Sequence, residues 1–406
     1  MGTAYATDTK RRQPDPREVH GSFIDETIGI VARQTRDTVS FAVGSPALEA
    51  LALVGVEDLA RIVLAREPGR SLGYGITEGD PELRVLIAAD AASHGLEARA
   101  EQIIVTAGAL QAVDLTCRVF IRPGDVAVVE SPGFTNALSA LRNHDARVLE
   151  VPADDDGMDV AAAARLLREQ GLRARLFFVV PNFQNPTGAT LSLERRVALL
   201  ALAAHHGAVV VEDDPYRLLR YRGGELPSLA SLARDVTVVH TGSFSKIFLP
   251  GLRVGWAIAE PDIVRRMAAA KQTMDSSTSS LGQRLVVEFH RRERFPAHVD
   301  SLRALYRDKQ DRAQRALARE FADVSGVSWN RPEGGFYLWL RLPAGMSARA
   351  LLAAALEEGV AFVPGDAFAV EHDHGSALRF SYSSPTPDRI DEGVHRLRRA
   401  FDRVAA

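Results

Sequence analysis

Thr241-Gly-Ser-Phe-Ser-Lys-Ile-Phe-Leu-Pro-Gly-Leu-Arg-Val-Gly255 decides how the rest of the chain is read, and Lys246 is its centre. Only four lysines occur (Lys10, Lys246, Lys271 and Lys309) against a combined Lys and Arg count of 49, so arginine carries nearly all the positive charge. A lysine kept in such a chain points to a need for a primary amine. Arginine stays protonated, whereas a desolvated lysine, or one beside other cations, loses its proton and can form a Schiff base. Lys246 follows the β-branched run Val236–His240 and sits among Ser243 and Ser245, with Pro250, Gly251 and Arg253 beyond. A turn of this kind at a strand end offers hydroxyls, amides and a guanidinium to a phosphate while aiming one amine at an aldehyde. A solvated loop lysine is the plainer alternative.

Working outward, short β-branched runs alternate with helical stretches. The runs are Ile103–Thr106, Val126–Glu130, Val148–Val151, Leu176–Val180, Val209–Glu212 and Val236–His240. The helical stretches cover about 108–121, 133–142, 159–170 and 192–206. This alternation predicts an α/β fold, a mainly parallel sheet flanked by helices, with ligands bound beyond the carboxyl ends of the strands. After Val254–Ile258 the chain reads as helical to about 321, then as a smaller α+β unit. That unit has strands at Gly335–Leu342, Ala361–Pro364 and Leu378–Ser383, a helix near Ser347–Glu358 and a terminal helix from about Pro387. The expected division is an N-terminal arm and leading segment over 1–50, a large cofactor-binding domain over 51–290 and a small C-terminal domain over 291–406. Within the leading part a helix is expected from about Asp25 to Arg36 and another over Val56–Arg66 ending at Pro68-Gly69. Asp80 reads as an N-cap with Pro81 at the first helical position.

Composition narrows the function classes. A chain of 406 residues with 46% apolar and 25% charged residues is an ordinary globular protein, and two domains is the expectation for its length. A net charge of −3 gives no electrostatic case for nucleic acid or an anionic membrane. No apolar run reaches membrane length, and the polar start is not an export signal. The single cysteine, Cys117, excludes an internal disulfide, fits a cytoplasmic protein and reads as a small buried hydrophobe.

Five further places carry candidates, four of them at predicted strand ends. Val211-Glu-Asp-Asp-Pro-Tyr216 could set the Asp213 carboxylate against a pyridine nitrogen and the Tyr216 phenol on a ring oxygen, or could be a helix-cap turn. In Pro181-Asn-Phe-Gln-Asn-Pro-Thr-Gly188, Asn185 could present its amide to the same oxygen, or mark a plain Asn-Pro turn. Thr106-Ala-Gly-Ala-Leu-Gln111 opens a helix whose free amides suit a phosphate, or is one of the many helices that small residues open. Phe134 could stack on a ring or fill core. Arg379, in Leu378-Arg-Phe-Ser-Tyr382, could clamp a carboxylate as a fork or sit on a surface strand. An amine, a carboxylate, an amide, a phenol, a phosphate cradle and a carboxylate clamp together describe a site for pyridoxal 5′-phosphate and an amino acid.

The chain resembles the fold-type I pyridoxal-phosphate enzymes, specifically the class I/II aminotransferases of the α-aminoadipate/kynurenine aminotransferase type. The resemblance runs from about Ser40 onward. It is carried in order by Tyr74-Gly-Ile-Thr-Glu-Gly, Phe183-Gln-Asn-Pro-Thr-Gly, Glu212-Asp-Asp-Pro-Tyr, Gly242-Ser-Phe-Ser-Lys-Ile-Phe-Leu-Pro-Gly-Leu-Arg, Pro332-Glu-Gly-Gly-Phe-Tyr-Leu-Trp and Leu378-Arg-Phe-Ser. It implies that Lys246 is the Schiff-base lysine and proton shuttle, and that Asp213 partners the pyridine nitrogen. Asn185 and Tyr216 would hold the ring oxygen, and Phe134 would take the ring-stacking place. Ser243, Ser245 and Arg253, with the amides of Gly108 to Leu110, would hold the phosphate. Tyr74 would reach the phosphate of a neighbouring subunit, which implies a homodimer with shared sites. Arg379, Gly44, Asn185 and Arg33 form the implied substrate-binding set, and no metal is implied.

The reaction so implied moves an amino group between an α-amino acid and a 2-oxo acid. Three positions depart from the family pattern: Ala109-Leu110 lacks the usual hydroxyl, Phe134 replaces a common tyrosine, and Val43-Gly44 replaces a pair of glycines. These departures are compatible with an alternative on the same scaffold, a non-transaminating enzyme of elimination, replacement, cyclisation or oxidase type. A DNA-binding regulator carrying such a domain is disfavoured, since the residues before the matching region are too few for a winged-helix domain.

Overall fold

The structure, a computed structural model, describes residues 19–21, 29, 36–292 and 294–405. The helix expected from about Asp25 to Arg36 and the candidate Arg33 lie outside the described residues. In chain order the strands are β1 (Val39–Ser40), β2 (Ile103–Thr106), β3 (Val126–Ser131), β4 (Arg147–Asp154), β5 (Gly157–Met158), β6 (Ala174–Val179), β7 (Val209–Asp213), β8 (Val238–Ser243) and β9 (Gly255–Ile258). They continue with β10 (Ser328–Trp329), β11 (Tyr337–Arg341), β12 (Val360–Ala361), β13 (Val363–Pro364) and β14 (Ala377–Ser381).

The β-branched runs pair because each buries both of its faces. The large sheet has the order β2-β9-β8-β7-β6-β3-β4-β5. Strands β8, β7, β6, β3 and β4 are mutually parallel, and β9 runs against both of its neighbours. Alternation of side chains divides these strands between two cores. Ala127, Val129, Leu176, Phe178, Val209 and Val211 enter the larger one. Val126, Val128, Phe177, Val179 and Val210 enter the other, on the opposite face. Helices Ala109–Phe120, Thr135–Asn143, Val160–Glu169 and Leu193–His206 connect successive strands. Cys117 is fully buried in the first of them, and burial pushes its thiol up to about 12.

Two local expectations need adjusting. Pro68 does not simply end the preceding helix, since it occupies the first turn of a short helix of its own, Pro68–Leu72. Strand β8 runs past His240 to Ser243, because Thr241, Gly242 and Ser243 pair with Ala257, Trp256 and Gly255. Asp80 does cap helix Pro81–Ser93, accepting from the amides of Glu82 and Leu83.

The long helix Phe295–Phe321 joins two cores. Val299, Leu302 and Tyr306 belong to the large one, whereas Ala313, Ala316, Leu317 and Phe321 belong to that of the C-terminal unit. The C-terminal sheet is antiparallel, in the order β10-β11-β14-β13. The leading segment packs with it: β1 pairs with β12, and Phe41 stacks on Phe380 with ring centroids 3.9 Å apart. Residues 42–47 therefore pass from the C-terminal unit towards the large sheet. Among the described residues no helix is long and apolar enough to cross a membrane.

Candidate active site

Four parallel strands aim their carboxyl ends at one cavity of about 330 Å³. Phe134 follows β3, Val180 and Asn185 follow β6, Asp213 ends β7, and Ser243 ends β8 just before Lys246; all of them line the cavity. The leading segment supplies Gly44, the start of helix Ala109–Phe120 supplies Ala109 and Leu110, and β14 supplies Arg379. Tyr216, Ser245 and Arg253 complete the sequence-predicted residues at the cavity wall. Gly108 precedes Ala109 and Leu110 and does not line the cavity. Tyr74 does not line the cavity and is fully exposed.

One corner suits a phosphate. The Ser243 and Ser245 hydroxyls lie 2.8 Å apart, and Arg253 Nη1 reaches to 3.4 Å from Ser245 Oγ. Arg253 holds a left-handed backbone (φ 53°) that turns its side chain back over the loop. The absence of a Cβ lets two backbones close this corner. A Cβ at Gly108 (φ 89°) would lie 2.5 Å from Arg253 Nη2, and one at Gly255 would lie 2.6 Å from the Ala109 amide nitrogen. The first amides of helix Ala109–Phe120 have no partner within the helix and face the same place as these hydroxyls and the guanidinium.

The opposite corner suits a protonated aromatic ring. Asp213 is buried, and its Oδ1 accepts from Thr241 Oγ1 at 2.7 Å. Burial pushes its carboxyl up to about 6, against the Thr241 hydrogen bond, while neighbouring Asp214 raises it further. A cationic ring nitrogen is the partner such a carboxylate lacks. Asn185, preceding a cis proline, is buried and accepts from Arg379 Nη1 at 2.8 Å. Tyr216 is buried too, and its hydroxyl lies 2.9 Å from that of Tyr337. Burial and the adjacent Tyr337 hold the Tyr216 phenol well above its usual range, so it is a proton donor at neutral pH.

Between these corners Lys246 Nζ donates to the Gly44 carbonyl at 2.8 Å and lies 5.6 Å from the Tyr216 ring centroid. Desolvation lowers its pKa, Tyr337 opposes this, and the Arg379 and Arg253 guanidiniums lower it further. This environment favours the neutral amine, the form that acts as a nucleophile. Arg379 is 1% exposed, so it is not a surface-strand arginine. Its guanidinium stacks 4.7 Å from the Tyr337 ring centroid and donates to Ala42 O at 2.5 Å. Its Nε is buried without a partner among the described residues.

Tyr337, Asn136, Ser45, Val180 and Pro215 also line the cavity and were not singled out in the sequence. Tyr337 stands in the apolar run Phe336–Leu340, where a tyrosine reads as core. Its place in the Gly-Gly-Phe-Tyr motif was the one available signal.

The aminotransferase class I and II family model matches residues 36–397. The 2-aminoadipate transaminase of Thermus thermophilus is 37% identical over 96% of this chain and 96% of its own. The aromatic-amino-acid aminotransferase 1 of Thermococcus litoralis is 34% identical over 93% of this chain and 90% of its own. Among solved structures, the α-aminoadipate aminotransferase of Thermus thermophilus complexed with N-(5′-phosphopyridoxyl)-L-leucine superposes with a TM-score of 0.86, at 37% identity over 93% of this chain and 95% of that one. The cavity has the donors that a pyridoxyl phosphate requires, and the match spans both structural units. The chain belongs to the class I and II aminotransferases and is a pyridoxal 5′-phosphate-dependent aminotransferase of fold type I.

Proposed function

We propose that Lys246 is the amine that takes the aldehyde of pyridoxal phosphate and then carries the proton at the substrate Cα, so that an amino group passes from an α-amino acid to a 2-oxo acid. The observation that carries this reading is the position of Lys246 Nζ in the cavity, under the electrostatic influence of Asp213, Arg253 and Arg379. The bound cofactor supplies an electron sink for the Cα carbanion. Asp213 keeps the ring nitrogen protonated. Asn185 and Tyr216 hold the ring oxygen, and Phe134 covers one face of the ring. Ser243, Ser245, Arg253 and the amides at Gly108 to Leu110 hold the phosphate.

Arg379 binds the substrate α-carboxylate, and Gly44, whose carbonyl accepts from Lys246 Nζ, borders that place. The relatives named for aminoadipate and for aromatic amino acids set the first substrates to try. Arg33 is the sequence candidate for a second, side-chain carboxylate. The working unit in this reading is a homodimer in the cytoplasm. It is supported by the fully exposed Tyr74, flanked by exposed Leu72 and Ile76 with no cover in the single chain. Absorbance spectra test the reaction. Addition of an amino acid should remove the visible band of the bound cofactor, and a 2-oxo acid should restore it. Loss of the band with release of ammonia, and no restoration, would refute transamination.

A further inference from the structure

Tyr216 and Tyr337 are 3% and 1% exposed, and their hydroxyl oxygens lie 2.9 Å apart. Each phenol owns one proton and can accept as well as donate. Only one of the two protons can lie between these oxygens. In the reading above, the Tyr216 proton is directed to the cofactor's ring oxygen. The proton between the phenols must then come from Tyr337.

We propose that Tyr337 is a positioning residue whose hydroxyl donates to Tyr216 and so orders the Tyr216 proton towards the cofactor; this rests on the proposed role of Tyr216. Four contacts keep the Tyr337 hydroxyl where it is. Tyr337 pairs with Ser381 in the register of β11 with β14. Its ring meets that of Tyr216 edge-on, with centroids 5.8 Å apart, and carries the Arg379 guanidinium at 4.7 Å. Its hydroxyl fills the space beside Gly44, where a Cβ would come within 2.2 Å of the oxygen. A glycine at 44 is therefore what admits the Tyr337 hydroxyl.

Without the cofactor the bond to Tyr337 raises the Tyr216 phenol, the sign of Tyr216 donating to Tyr337. Once the Tyr216 proton is directed to the ring oxygen the bond runs the other way, and a phenol that receives a hydrogen bond is a stronger donor, since a chain of such bonds polarises along its length. Tyr337 thus helps Tyr216 stabilise negative charge on the ring oxygen. The other groups facing Tyr216 are Asp213, Arg379, Lys246 and the edge of Phe336. None of these lies between the two phenols.

The test is the pH midpoint of the cofactor's visible absorbance in the holoenzyme, for wild type, Tyr337→Phe, Tyr216→Phe and the double variant. A weaker donor leaves the ring oxygen more basic, so the proton it shares with the lysine nitrogen is held to higher pH. Tyr337→Phe, which keeps the ring and its packing, should raise the midpoint by roughly half a unit to one unit. Tyr216→Phe should raise it at least as far, and the double variant should match Tyr216→Phe alone. An unshifted midpoint in Tyr337→Phe, with Tyr216→Phe shifted, would overturn the role of Tyr337 only. Additive shifts would also overturn it, by showing that Tyr337 acts without Tyr216. A silent Tyr216→Phe would overturn both roles.

Discussion

Lys246 Nζ and the Gly44 carbonyl oxygen meet at 2.8 Å although 202 residues separate them in the chain. The contact brings the leading segment against the end of β8. That segment is held at several points. Ser383 and Ser384 donate to the carbonyl of Ser45, the Ala47 amide donates to Tyr306, and Arg379 donates to Ala42. The same backbone thus touches both the proposed reactive amine and the proposed carboxylate clamp. Substitutions in and around it separate packing from chemistry.

Gly44→Ala should destabilise the protein by about 1–3 kcal/mol, the usual range for overpacking. The new Cβ would stand 2.2 Å from the Tyr337 hydroxyl oxygen and 3.0 Å from ring carbon Cζ. Tyr337→Phe removes the nearer of these atoms, so the same change should cost less in that background. Urea unfolding of the four proteins checks this. Equal costs in both backgrounds would show that the hydroxyl is not the obstacle.

Asp213 makes the cofactor-free protein sensitive to pH. Its folded pKa is raised from 3.8 to about 6, chiefly by burial. The folded state therefore holds a proton where the unfolded chain has lost it. The associated stability is fully present below pH 3.8 and is lost as the pH rises to about 6. The loss is on the order of 3 kcal/mol. Asp213→Asn cannot ionise and should escape it. The melting temperature of the cofactor-free variant should pull ahead of wild type between pH 4 and pH 7, while its affinity for the cofactor falls. A gap that stays constant with pH would contradict this.

Arg379→Ala should lower kcat/KM for amino acids by at least about a hundredfold, the loss expected for charge-assisted hydrogen bonds to a carboxylate. The loss should come mainly from a rise in KM. Cofactor retention, measured by absorbance after gel filtration, should change much less. An unchanged KM would place the carboxylate elsewhere.

Lys309 has a buried side chain whose Nζ donates to the carbonyls of Ser383 and Pro385 at 3.1 and 2.9 Å and pairs with Glu49 at 2.7 Å. It ties the middle of helix Phe295–Phe321 to the segment after β14 and to the short helix Leu48–Ala52. Lys309→Met should lower stability by about 1–3 kcal/mol, since it strands two carbonyls while Glu49 remains free to hydrate. Urea unfolding measures this, and an unchanged midpoint would refute it.

Much of this was legible in the sequence because the strands of the large sheet are buried on both faces. Val209–Glu212 needs no partner to be read as a strand, and Asp213 follows at its carboxyl end. Extension of β8 through Thr241-Gly-Ser243 was not legible, because small polar residues there are held by pairing with β9 rather than by propensity. Arg379 left two readings open, since a strand arginine carries no mark of its burial; the packing of Tyr337 and Phe368 against its guanidinium decides it. Tyr337 was hidden in an apolar strand, because its hydroxyl acquires meaning only beside Tyr216 and Gly44. Tyr74 stood out as a motif, but a single chain leaves it on the surface.

Covalent attachment of the cofactor tests the central claim most directly. Holoenzyme reduced with borohydride, digested and analysed by mass spectrometry should carry the pyridoxyl phosphate on the peptide containing Lys246. Lys246→Ala should carry none and should lose turnover by roughly a thousandfold or more. Label on Lys271 or Lys309, or a Lys246→Ala variant that is still labelled and active, would contradict the assignment of Lys246.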